Sequence, residues 1–86
     1  MSMRLWILRP VEGLPENDDP WEPWYDKAVG FVVRAETEAA ARRLANAQAG
    51  DENSHAAVWL DRAVSTCVEL TPEGDEGVVL RDYMAA

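Results

Sequence analysis

Four of the chain's five prolines fall between residues 10 and 23: Pro10, Pro15, Pro20 and Pro23. Proline fixes φ and removes a backbone donor, so neither a regular helix nor a central strand can run through this stretch. The chain is thereby divided into a short N-terminal segment, a long irregular connection and a C-terminal body that must supply most of the regular structure. The connection also holds "DDPWEPWYDK", residues 18–27, with Trp21, Trp24 and Tyr25 set among acids. Its prolines predict an extended strap, with Trp21 and Trp24 one polyproline-type turn apart.

The elements on either side follow from periodicity. "MRLWILR" alternates Leu5, Ile7 and Arg9 with Arg4, Trp6 and Leu8, a strand with both faces at least partly covered. "AVGFVVRA", residues 28–35, is β-branched and reads as a second strand. "AETEAAARRLANAQAG" reads as a helix with Thr37 as N-cap and Gly50 as the residue beyond its C-terminus. Its stripe of Ala41, Leu44, Ala45 and Gln48 is mostly alanine, so the sheet must offer the large side chains, Trp6 and Phe31 among them. "VWLDRAVSTCVEL" fits a helical stripe through Trp59, Ala63, Cys67 and Leu70, but its "STCVEL" end is β-prone. The favoured reading is a short helical or irregular turn around 59–64 and then a hairpin of strands near 65–70 and 78–83, the second in "VVLRDY". The expected fold is α+β: a mainly antiparallel sheet of about four strands, in the order β-β-α-β-β, with one helix on one face. One helix leaves the other face open, and the aromatic strap is the candidate cover.

At 86 residues the chain is expected to be one domain over 1–86, small enough that four tryptophans matter to its core. A single cysteine, Cys67, excludes an intrachain disulfide and favours a reducing, cytoplasmic setting. The apolar run at the N-terminus is broken by Arg4, Arg9 and Pro10. It predicts no signal peptide, and no stretch predicts a membrane span.

Net charge is −8 and unevenly spread. Residues 11–26 contain six acids and no base; residues 50–86 contain eight acids and two arginines. The middle, 27–49, has four bases and two acids. Phosphate neutralisation needs clustered basic side chains, so direct nucleic-acid binding is disfavoured and a protein partner with a basic surface is favoured. Chemistry-bearing groups are sparse. Cys67 and His55 are the only thiol–imidazole combination, and the acidic pairs Asp18-Asp19, Asp51-Glu52 and Asp75-Glu76 match no calcium loop. The residues predict no catalytic site, metal or cofactor.

Two uses of the strap follow. It completes the core, or it presents aromatic anchors ringed by carboxylates to a partner, and one tryptophan can serve each purpose. The candidate partner-binding residues are Asp18, Asp19, Trp21, Glu22, Trp24, Tyr25 and Asp26 in the strap, with Glu73, Asp75 and Glu76 in the later acidic turn.

The stretches "DPWEPWYDK", "GFVVRAETEAAARRLA", "WLD", "STCVEL" and "GVVLRDY" together resemble a group of small uncharacterised proteins of bacteria and their phages. In type (short, strongly acidic, without an active-site pattern) the chain is similar to phage-encoded inhibitors of bacterial defence, including anti-CRISPR proteins. That resemblance implies an inhibitor of a nucleic-acid-handling complex, with carboxylates of 11–26 and 71–76 standing where phosphates would go. The alternatives are a homodimer or larger assembly through exposed strand edges and, least favoured, a small enzyme.

Overall fold

A computed structural model describes residues 2–15 and 19–82. The strands are β1 (Arg4–Pro10), β2 (Phe31–Ala35) and β3 (Ser65–Leu70), with helix α1 (Glu38–Ala47) between the last two. Two 3-10 turns, Asp51–Asn53 and Val58–Leu60, link α1 to β3. The sheet is antiparallel in the order β2-β1-β3, so the first strand to be made lies at its centre.

Register fixes the two faces. Trp6 stands beside Val33 and Glu69, and Leu8 beside Phe31 and Cys67, under α1. Leu5, Ile7 and Arg9 point the other way, beside Arg34 and Leu70, Val32 and Val68, and Thr66. The alanines of α1 pack closely, as the sequence predicts, but the sheet is not the only source of bulk. Ala41 and Ala45 are buried in a cluster that holds Trp6, Leu8 and, at its edge, Phe31 from the sheet together with Trp21 from the strap and Trp59 from the second 3-10 turn. Thr37 caps α1 by accepting from the Ala40 N–H at 3.1 Å.

Several expectations are corrected. The sheet has three strands among the described residues. The 78–83 strand is not formed over 78–82, and Tyr83 lies outside the described residues. β3 pairs with β1, and its other edge gains no hairpin partner: after Pro72, Gly74 and Gly77 residues 78–82 cross the open face rather than run alongside β3. There Val79 and Leu80 lie near Ile7. The second strand begins at Phe31 rather than Ala28, because the Ala28 N–H donates to Glu52 instead of a ladder partner. Leu44 is half exposed, and the inward stripe of α1 carries Arg42 in its place.

Gly50 is not a left-handed cap. The helix ends at Ala47 and Gln48 caps it, while Gly50 has φ −94°. A side chain is excluded at residue 50 for another reason: an added Cβ would lie 2.7 Å from the Asp26 carbonyl oxygen and 2.9 Å from Glu52 Oε1. The chain therefore needs glycine where the strap and the post-helix loop touch.

Candidate functional site

The strap divides its aromatics. Trp21 is buried at 6% exposure, its indole N–H donating to the Val64 carbonyl at 3.2 Å. Its ring meets Trp59 edge-on, with centroids 4.8 Å apart. Trp59 is fully buried and also packs edge-on against Phe31 at 4.9 Å, so three rings from distant parts of the chain form the centre of the core. The strap thus packs on the helix side of the sheet, not over the open face where the sequence placed it. Nor is it extended. Asp19 accepts from the Trp21 N–H at 2.9 Å, and Lys27 Nζ donates to the Trp21 carbonyl at 2.8 Å, closing 21–27 into a turn.

That turn sends the next rings outward. Trp24 is half-buried, lying against the His55 ring with centroids 5.3 Å apart. Tyr25 is 99% exposed, and Glu22 and Asp26 on either side are exposed too. The backbone of Asp26 accepts from the Asp51 N–H at 2.7 Å, which joins strap and loop into one surface. Its side chains are Glu22, Trp24, Tyr25, Asp26, Asp51 and His55: aromatic in the middle, negative around it.

Beneath this surface sits the second member of the acidic pair Asp51-Glu52. Glu52 is buried at 1% exposure. Its carboxylate accepts from the Trp59 indole N–H at 2.7 Å, the Ala28 N–H at 2.9 Å and the Gly50 N–H at 3.1 Å. Burial pushes this carboxyl up, but the Trp59 indole and the backbone donors of Ala28, Glu52 itself and Gly50 outweigh it, so the group is held below its ordinary value. One carboxylate therefore ties the end of the strap, the post-helix loop and the core tryptophan together. No spacing rule marks it, because its donors come from 28, 50 and 59 and meet only in the fold.

Arg42 is a second anchor. Buried at 6% exposure, it donates to Glu38 at 2.8 Å, to the Trp59 carbonyl at 2.9 Å and to Ser65 Oγ at 2.8 Å. It holds α1, the second 3-10 turn and the start of β3 in one arrangement.

Trp21 is a core residue and is not presented at the surface. Asp19 spends its carboxylate on the turn. Asp18 lies outside the described residues. Glu73, Asp75 and Glu76 are exposed, but Glu73 edges the groove beside Ile7 and Val68, on the opposite side of the sheet from the strap. Glu73 thus belongs to a different face from the acids of the strap. Cys67 is half-buried in β3 beside Leu8, whereas the His55 ring lies against Trp24. Burial pushes the Cys67 thiol up, Arg42 and Arg62 oppose this, Glu38 adds to it, and the outcome is a thiol above its ordinary value. Among the described residues no three His, Cys, Asp or Glu side chains converge as a metal set, and no helix is long and apolar enough to cross a membrane.

No family model matches the chain, and no match to it was found among the curated proteins or the solved structures.

Proposed function

We propose that this chain is a non-catalytic, acidic protein-binding module that docks its strap surface on a basic surface of a protein partner. The observation that carries this reading is Tyr25, 99% exposed between Glu22 and Asp26 on a turn pinned from below by a buried tryptophan. A large ring costs little rotamer entropy on binding, and a rigid mount lowers the cost of ordering it further. The surrounding carboxylates supply steering and orientation toward positive charge. In its sharper form the module inhibits a nucleic-acid-handling defence complex, with Glu22, Asp26 and Asp51 occupying phosphate positions. Glu73, across the sheet, is not part of that footprint.

The test is capture of partners from a lysate of the cell in which the protein acts. Tyr25→Ala and the double variant Glu22→Gln/Asp26→Asn should each deplete the captured partner, and raising the salt should weaken capture by wild type. An unchanged set of bound proteins with both variants, at low and high salt alike, would contradict the proposal.

A further inference from the structure

The sheet face turned away from α1 carries a second and separate surface, independent of the strap. Ile7 at its centre is 9% exposed, but Val32 and Val68 on either side remain 53% and 58% exposed. The strands add two cations to this face, Arg9 and Arg34, and no carboxylate: their one acid, Glu69, belongs to the Trp6 side. Neither arginine makes an ion pair among the described residues. What lies over the face is the chain's own C-terminal segment, and it covers the face poorly. Val78, Val79 and Leu80 are 83%, 67% and 46% exposed, and no ladder joins them to the sheet. Both halves of an apolar contact are thus left wet.

The connection explains the poor fit. Residues 71–77, "TPEGDEG", leave the end of the edge strand β3 through turns and bends, and 78–82 then lie across the strands, with Val79 near Ile7 and Val68 and Leu80 near Ile7 and Val32. Extended, seven residues reach roughly 23–25 Å, enough to carry 78–82 onto a neighbouring molecule instead. The charges select such a neighbour. Bare faces of two copies would oppose Arg9 and Arg34 to their equivalents, whereas a tail arriving from the other copy brings four acids, Glu73, Asp75, Glu76 and Asp82, against one further cation, Arg81, to those arginines.

We infer that the open face is a self-association surface, on which two copies exchange their C-terminal segments so that residues 78–82 of each lie across Ile7, Val32 and Val68 of the other. Exchange of an identical segment reuses contacts already encoded and closes as a two-fold dimer. It lets each segment run unbent over the apolar residues, with its acidic linker beside the arginines.

The test uses full-length chains in a Cys67→Ser background, one carrying Val79→Cys and the other Val68→Cys, both at exposed positions. Mixed at rising concentration and oxidised, they should form a disulfide between the two chains in excess of either homodisulfide. Wild type should show a concentration-dependent dimer by light scattering, and the full-length variant Glu73→Lys/Asp75→Lys/Glu76→Lys should lose it. A monomeric mass throughout, with Val68→Cys/Val79→Cys in one chain closing only on itself, would overturn the inference. So would a dimer that survives the charge reversal and forms no 79–68 link.

Discussion

Trp21 and Tyr25 sit four residues apart in one turn and carry opposite burdens. Replacing Trp21 with alanine removes a buried ring that touches Trp59 and leaves the Val64 carbonyl without its donor. Such large-to-small changes cost about 3–5 kcal/mol, a large part of the stability of a domain this size. Tyr25→Ala removes a ring in water and should alter stability by no more than about 0.5 kcal/mol. Urea unfolding of the two variants checks the contrast, and equal losses would refute the assignment of rings. Glu52 gives a third residue-scale prediction. Glu52→Gln keeps the shape but turns an amide N–H₂ toward donors, and should cost about 1–3 kcal/mol at neutral pH. The folded carboxyl is held below its ordinary value, so its contribution is complete above the unfolded value near 4.5 and is lost as pH falls through the folded value. The gap between wild type and Glu52→Gln should therefore narrow on acidification below that point. A gap unchanged by acid would show that Glu52 does not act as a charged acceptor.

At the scale of elements, the helix and strand stretches were legible because periodicity and caps are local. Thr37 caps α1 as its sequence position requires, and Thr37→Ala should cost about 1 kcal/mol, measurable as a lowered urea midpoint. Alternation in β1 placed Trp6 and Leu8 together on one face. What could not be read was set by distant partners. "VVLRDY" has strand composition, yet its last link to the sheet is a Pro- and Gly-bearing linker that leads it away from the ladder. Gly50 resembles a helix cap in sequence, but its small size is required by Asp26 and Glu52, neither of which sequence spacing brings near. Gly50→Ala should accordingly destabilise the fold, because a methyl there meets backbone oxygen at 2.7 Å, whereas a surface glycine replaced in a helix-compatible conformation would gain stability. A thermal midpoint equal to or above wild type would show that strap and loop do not touch at that point. The candidate site was half legible: the sequence marked the strap as aromatic and acidic, but which tryptophan faces inward depended on the turn closed by Asp19 and Lys27.

For the whole molecule, the sheet separates two surfaces of different character. On the helix side, a turn anchored by Trp21 and Glu52 holds Trp24 and Tyr25 among carboxylates. On the other side, an apolar stripe flanked by Arg9 and Arg34 lies under a loosely seated acidic tail. A net charge of −8 spread over both sides favours basic partners for the first surface and tail exchange, acid to arginine, for the second. The first surface depends on the strap being fixed while its outer rings are free. Indole hydrogen exchange reads this directly, since each tryptophan carries one N–H. Those of Trp6, Trp21 and Trp59 donate to Ala35, Val64 and Glu52, and that of Trp24 donates to no protein acceptor among the described residues. In a two-dimensional ¹⁵N spectrum followed after transfer to D₂O, three indole signals should persist and one should vanish at once, the same one that Trp24→Phe removes. Loss of the Trp21 signal together with that of Trp24, or protection of all four, would contradict the account.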